Sequence, residues 1–425
     1  MRKTLWLVAI LALFVISVAP QPTEAVNEDR FEPLRRFSQV LDLVEHNYVK
    51  DISRKELVDD AVKGMLEQLD PHSTFLSTDD FKEMQEATSG EFSGIGIEIS
   101  MEKGRLIVIS PIEDTPAYKA GLKAGDIILE INGESTQSIS LMEAVSKIRG
   151  KRGTDVILTI LHKDATKPDK VTITRDTIPI ISAKSQELED GILYLRLTRF
   201  NENTTREMHK ALADYNKDHT LKGLILDLRN NPGGLLKQAV SVADTFIDKG
   251  LIVYIEGRDK ASRMDYDAAE QATDVNVPMV TLINAGSASA SEIVAGALKD
   301  HDRSLLIGER TFGKGSVQTI IPMADGSGIK LTTALYYTPS GRSIQAEGID
   351  PDILYPFVAP ADDKDDTDRF IFREKDLNRH LENNGHDTKA IAERNEKAKK
   401  MLDRDNQLRL GLQLVKGLPR IKEIK

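Results

Sequence analysis

Residues 223–234 read Gly-Leu-Ile-Leu-Asp-Leu-Arg-Asn-Asn-Pro-Gly-Gly, an apolar run that gives way to polar residues at Arg229 and stops at Pro232-Gly233-Gly234. A strand covered on both faces has this near-continuous apolar character. Leu235 to Phe246 then takes helical spacing. The chain therefore passes from a buried strand into a helix through a turn of small residues, which leaves backbone N–H groups uncovered as an oxyanion hole requires. Taken alone, the turn equally suits a structural role with Asp227 and Arg229 as an ion pair. Outward from it lie a strand-like run at 192–195, a helix around Thr205 to Asn216, and apolar runs at 251–255, 278–284 and 305–308. Strands alternating with helices predict an α/β core over residues 178–358.

Two further segments of that core carry polar residues at strand ends, where sites on such sheets are built. Asn284-Ala285-Gly286-Ser287-Ala288-Ser289-Ala290-Ser291-Glu292 runs from a strand into a helix, and a serine at a helix N-terminus is favoured for developing negative charge. Three serines compete, and any one of them taken alone reads more readily as a helix cap. Gly308 to Gln318 contains the glycine and lysine spacing of a phosphate-binding loop at Gly308, Gly313 and Lys314. Gly315 stands where such a loop needs serine or threonine, and 317–322 has a strand pattern instead of a helix. A buried neutral lysine acting as general base for a serine accounts better for Lys314. A Ser-His-Asp triad using His301 is the weaker alternative.

Upstream the period changes. Gly94-Ile95-Gly96-Ile97-Glu98-Ile99, Leu106 to Ile109 and Ile127 to Ile131 are strand-like, and Asn132-Gly133 signals a tight hairpin. Ser140 with Glu143 forms a capping box for a helix whose apolar face is Leu141, Ala144, Val145 and Ile148. With Pro116 to Leu122 and Gly125-Asp126-Ile127-Ile128, this order resembles a PDZ domain over residues 89–177. Such a module implies a glycine turn at Gly94, Ile95, Gly96 and Ile97 that holds a carboxylate, and an edge strand that pairs with a peptide C-terminus.

Residues 26–88 carry helical spacing in two or three segments, broken at Asp70-Pro71-His72-Ser73. Arg2 and Lys3 before the apolar run Leu5 to Ala19 read as a signal peptide over 1–25, with an uncleaved anchor as the alternative. Export to the periplasm or another extracytoplasmic site follows, with membrane association if the segment is retained. Residues 359–425 read as an acidic linker and a helical tail. The fold class is thus multidomain α/β (α+β). The 57 basic and 67 acidic residues give a net charge of -10, which disfavours nucleic acid as partner, and zero cysteines exclude disulfides, thiolate metal sites and a cysteine nucleophile.

The serine segment, Gly313-Lys314-Gly315 with Gln318, the Leu228 to Gly234 turn and Tyr337-Thr338-Pro339-Ser340-Gly341-Arg342 together resemble the carboxyl-terminal processing peptidases. The resemblance spans nearly the whole chain after residue 25. It implies Ser289 as nucleophile, Lys314 as base, Gln318 as the residue orienting the lysine, and the backbone N–H of Ala290 with that of Gly233 or Gly234 as oxyanion hole. It further implies gating by the PDZ module, with Arg149 as a candidate gating residue whose plain alternative is a solvated helix-end cation. Protein or peptide C-termini are the implied substrates. A homodimer formed through the terminal helices, and a regulatory or adaptor protein, complete the expected partners. This chemistry needs no metal or organic cofactor. The rival from another class is a non-catalytic PDZ scaffold tethering exported proteins.

Overall fold

The computed structural model describes residues 28–102, 104–163, 165–359 and 389–423. The signal segment and most of the acidic linker lie outside them. Among the described residues, no helix is long and apolar enough to cross a membrane. Contacts divide the chain into two units, one ending at Phe75 and one beginning at Leu76.

The first unit contains helices α1 (Glu28–Asn47) and α2 (Arg54–Glu67). Ser53 caps α2 by accepting from the Glu56 N–H at 3.2 Å, and Arg54 reaches back to Asp42 and Glu45 on α1. The break at 70–73 is a loop in which Asp70 accepts from the His72 and Ser73 N–H groups and the Ser73 hydroxyl. His72 is accordingly a loop residue, as its place beside Pro71 predicts.

The second unit opens with α3 (Thr78–Ser89), started by a reciprocal capping box between Ser77 and Asp80. Strand β1 (Glu91–Gly94) follows and pairs with β8 (Asp176–Pro179). Between them lies an antiparallel sheet of β2 (Ile97–Glu102), β3 (Arg105–Pro111), β4 (Ile127–Ile131), β6 (Asp155–Leu161) and β7 (Asp169–Thr174), in that spatial order, with short β5 (Glu134–Ser135) beside β4. Asn132 and Gly133 both take positive φ, 53° and 83°, which the two-residue β4–β5 turn requires. A single-turn helix, α4 (Pro116–Lys119), precedes β4, and α5 (Leu141–Ile148) packs on β2 and β4. Ile95, Leu106, Val108, Ile128, Val156, Leu158 and Ile160 form a core separate from that of the rest of the chain.

The main sheet runs β9 (Ala183–Glu189), β10 (Ile192–Leu197), β11 (Gly223–Asp227), β14 (Met279–Ile283), β15 (Leu305–Gly308) and β18 (Ile353–Leu354). The β9–β10 pair is an antiparallel hairpin and every later pair is parallel. Helices α6 (Thr204–Asp218), α7 (Leu236–Asp244) and α8 (Ala290–Asp300) supply residues to the core on one face. On the other face Leu408, Leu412 and Val415 of α10 (Asn406–Glu423), preceded by α9 (Lys389–Arg404), cover Ile225, Val280, Leu282 and Ile307.

Two elements depart from the sequence reading. The predicted C-terminal tail is helical, but α10 is part of the peptidase core: its apolar stripe covers the second face of a parallel sheet that needs helices on both sides. The run at 251–255 is a strand, yet it belongs to a second, antiparallel sheet. That sheet includes β12 (Gly250–Gly257), β13 (Met264–Ala268), β16 (Ser316–Pro322) and β17 (Gly328–Tyr337). β17 lies between β12 and β16, with β13 on the far side of β12.

Candidate active site

At the C-terminal ends of β11 and β14 two turns lie against each other. Asn284 accepts from the N–H groups of Asn230 and Gly286 through Oδ1, at 2.9 and 3.0 Å, and donates from Nδ2 to Asn230 Oδ1. Ser287 donates its hydroxyl proton to the Leu228 carbonyl at 2.8 Å, and Ser291 donates to that of Asn231 at 2.9 Å. Those two serines are fully buried braces between the turns. Ser289 differs. Its Oγ lies 3.1 Å from the phenol oxygen of Tyr336, and its backbone stands at φ 55°, ψ −113°, a conformation rare for a residue with a Cβ. The sharp bend sets its hydroxyl at the N-terminus of α8.

Glu292, one turn into α8, is fully buried. Its Oε2 accepts from the N–H groups of Ser289 and Lys314, both at 2.8 Å, while Oε1 accepts from the Gly313 N–H at 2.7 Å and the Thr311 hydroxyl at 2.6 Å. One carboxylate thus ties the backbone of the serine to that of the lysine 25 positions later. Four donors compensate its burial. Lys314 itself is half-buried. A Cβ on Gly315 would stand 2.4 Å from the backbone nitrogen of Gln345, so close backbone packing accounts for that glycine. The segment beyond Lys314 becomes β16, not a helix, which removes the phosphate-loop reading. The Gln318 amide nitrogen donates to the carbonyl and hydroxyl oxygens of Ser316, at 3.1 and 2.9 Å.

The 228–234 turn completes the neighbourhood. A Cβ on Gly233 would come within 2.9 Å of both the Ala290 nitrogen and the Ser289 Cβ, so only glycine lets the turn approach the serine this closely. The Gly233 N–H donates to Asn231 Oδ1 at 2.9 Å. Among the described residues, the N–H groups of Ala290 and Gly234 make no hydrogen bond. The turn is anchored from below: Arg229 pairs with Asp227 at 2.7 Å and Asp405 at 2.6 Å and donates to Gln407 Oε1 at 2.8 Å, and Tyr194 donates to Asp227 at 2.7 Å. The structural pairing of Asp227 with Arg229 therefore holds. Burial opposes the Arg229 charge, but the two carboxylates outweigh it and raise its pKa. Burial, with Asp227 beside it, also raises that of Tyr194.

His301 takes no part. It sits at the C-cap of α8 with Nε2 against the Leu251 carbonyl at 2.7 Å, and Ser289 is at the opposite end of the helix, about 18 Å away at 1.5 Å per residue.

In the 91–179 module, β2 is an edge strand beside α5. Gly94 closes β1, Ile95 is buried in the core, and Gly96 takes φ 80° before Ile97 opens β2. The Ile95 and Gly96 carbonyls accept from Ala117 and Ile112 N–H groups, at 2.8 and 2.9 Å, turning this segment's oxygens inward. Arg149 caps the end of α5, 3.6 Å from Glu86 on α3 and 4.9 Å above the Phe92 ring on β1. That segment is in turn bonded to the core through the Thr88 and Gly90 carbonyls, which accept from Glu202 and Ile180 at 3.0 and 2.7 Å. Arg149 is therefore an exposed helix-end cation, as in the plain reading, that also has partners on α3 and β1.

Sequence reasoning missed Glu292 and Tyr336 as members of the site. A glutamate three residues after Ser289 is a capping-box signal that could have drawn attention to the first. Tyr336, next to last in β17 and 47 residues from the serine, carries no local signal.

Residues 191–355 match the family model described as peptidase family S41, residues 83–161 that of the PDZ domain, and residues 16–80 that of the activating protease CtpB N-terminal domain. The chain is 45% identical over 358 residues to a carboxy-terminal-processing protease of Bartonella bacilliformis, covering 83% of this chain and 82% of that one. It is 38% identical over 348 residues to the carboxy-terminal processing protease CtpA of Bacillus subtilis, with 81% and 73% covered. A probable CtpA-like serine protease of Staphylococcus saprophyticus is 37% identical over 353 residues, with 82% and 71% covered.

Proposed function

The chain belongs to the carboxy-terminal-processing proteases, and from that premise we propose that it is an exported endopeptidase using Ser289 as nucleophile and Lys314 as general base. The observation that carries this reading is the Glu292 carboxylate, which binds the backbones of both residues at 2.8 Å and so fixes the turn of one relative to the loop of the other. In the reaction the neutral Lys314 amine takes the Ser289 proton as Oγ bonds to the scissile carbonyl carbon. The carbonyl electrons move to oxygen, where the Ala290 N–H and a glycine N–H receive them. Gly234, whose N–H is uncommitted, suits the second donor better than Gly233, whose N–H is directed to Asn231. Collapse breaks the C–N bond, Lys314 returns the proton to the departing amine, and water repeats the sequence on the acyl-enzyme. Gln318 shares the lysine's strand-loop junction and acts by orienting Lys314.

The PDZ module captures the substrate's C-terminus at Gly94 to Ile97 and along β2, with Arg149 at the junction through which a bound terminus is communicated to the core. The basic-then-apolar N-terminal segment supports export to the periplasm or an equivalent compartment. The helices of the first unit, with Phe31, Leu34 and Leu43 more than 60% exposed, support a homodimer, and an adaptor protein would act on the same module that reads the terminus.

Incubation with an unstructured protein and mass spectrometry of the products tests the dyad. Ser289→Ala and Lys314→Ala should each lower cleavage by a factor of at least about 10³, because nucleophile and base act as a unit, while Gln318→Ala should leave a reduced rate. Full activity in either of the first two variants refutes the assignment. Ser287→Ala being more damaging than Ser289→Ala would move the nucleophile.

A further inference from the structure

The Tyr336 hydroxyl lies 3.1 Å from Ser289 Oγ, and among the described residues that is its one hydrogen bond. The ring is 5% exposed. Its backbone is also tied to the base loop: the Tyr336 N–H donates to the carbonyl of Gly315, the residue after Lys314, at 2.7 Å. A single residue of β17 therefore grips the lysine loop with its backbone and reaches the serine oxygen with its side chain. Buried phenols normally pair with a fixed partner chosen for packing or polarity. Here the partner is the oxygen that must form and break a bond.

We infer that Tyr336 is a further catalytic residue, a phenol that donates its hydrogen bond into a lone pair of Ser289 Oγ. The inference rests on Ser289 being the nucleophile. The argument is one of proton accounting. A serine hydroxyl has one proton and two lone pairs. Were the phenol oxygen to accept the serine proton, that proton would point away from the base. With the phenol as donor, the serine proton is left for the proposed base Lys314 to take, and the oxygen is held in place by the phenol. Burial raises the Tyr336 pKa and, with the Glu292 carboxylate, outweighs the opposing effect of the Ser289 hydrogen bond, so the phenol keeps its proton and can serve as donor. During acylation the Oγ–H bond breaks toward the lysine and the Oγ–C bond forms, with the tyrosine proton staying on its own oxygen. During deacylation the Oγ–C bond breaks and negative charge returns to Oγ. The phenol stabilises that charge until Lys314 delivers the proton taken from water. Tyr336 thus assists both half-reactions without itself being consumed.

The test is Tyr336→Phe, which removes one oxygen and keeps the ring, compared with Tyr337→Phe, whose hydroxyl is on the other face of the strand. Steady-state cleavage of a peptide substrate gives kcat and KM, and labelling by a fluorophosphonate reads serine reactivity without peptide recognition. Tyr336→Phe should lose roughly ten- to hundred-fold in kcat and in labelling rate, the worth of one hydrogen bond to a charged centre, with KM little changed. Tyr337→Phe should behave as wild type. Unchanged kcat and labelling in a folded Tyr336→Phe protein overturn the inference, as does a rise in KM alone. If the phenylalanine variant fails to fold, Tyr336→His retains a donor and should label at least ten times faster than Tyr336→Leu; equal rates overturn it. Ser289→Ala separates this from the underlying reading. Cleavage surviving in Ser289→Ala refutes the nucleophile, whereas an inert Ser289→Ala beside a fully active Tyr336→Phe refutes the tyrosine alone.

Discussion

Ser289 holds its backbone at φ 55°, ψ −113° in a place where every surrounding bond dictates the turn. Such a conformation costs a residue with a Cβ about 1–3 kcal/mol, whereas glycine's added conformational freedom in the unfolded chain costs only about 0.5–1 kcal/mol. Ser289→Gly and Ser289→Ala lose the same hydroxyl and leave the same Tyr336 phenol unpaired, so their difference isolates the backbone. The glycine variant should melt at the higher temperature of the two, and an alanine variant of equal or greater stability would mean that the turn relaxes. The chain announces a serine turn at 286–291 through its small residues, but not which serine reacts. What sets Ser287 and Ser291 apart from Ser289 is the pair of carbonyls at Leu228 and Asn231, 59 and 60 residues earlier, which hold their hydroxyls.

Helices and strands were legible where their signals are local. Ser140 with Glu143 starts α5, and Asn132-Gly133 turns β4 into β5, because a cap and a hairpin are decided within four residues. Sheet membership is not local. The run at 251–255 reads correctly as a strand, yet periodicity carries nothing about its pairing with Tyr336 and Tyr337 on β17 instead of with the parallel sheet. Between α6 and the end of α7, His209 places Nε2 2.8 Å from the Thr245 hydroxyl, whose own proton goes to the Ser241 carbonyl. The imidazole therefore donates to Thr245. Burial lowers the His209 pKa below its ordinary value, so between the two values the unfolded chain binds more protons than the folded one. This contribution to stability is complete above about pH 6.5 and is lost as the pH falls through the lower folded value. Thermal melts taken from pH 7.5 downward should show it, and His209→Gln should flatten that limb. An unaltered acid limb in the variant would assign it to carboxylates elsewhere.

Within the second unit, the end of α3 and the residue before β1 bond the 91–179 module to the peptidase core. The segment Gly94 to Ile97, proposed to receive the peptide carboxylate, begins at the end of β1, and β1 follows α3, where the Thr88 and Gly90 carbonyls accept from Glu202 and Ile180. On the far face, Asp405 and Gln407 at the start of α10 hold Arg229 beneath the 228–234 turn, at separations of 176 and 178 residues that no pattern in the chain could have paired. The module's contribution to substrate choice follows from its chemistry. A carboxylate received by backbone N–H groups gains charge-assisted hydrogen bonds of about 1.5–3 kcal/mol, which is roughly ten-fold or more in affinity. Amidating a peptide's C-terminus removes that charge and leaves the bond to be cut untouched. Of two matched peptides at concentrations below KM, the free acid should thus be cleaved at least about ten times faster. A second free-acid peptide without a cleavable bond should compete away that advantage, because it occupies the same edge of β2 while leaving Ser289 open. The amidated substrate, which does not depend on that contact, should be slowed little by the competitor. Equal initial rates for acid and amide would mean that this module does not read carboxyl termini, and the processing specificity would then have to arise at the active site itself.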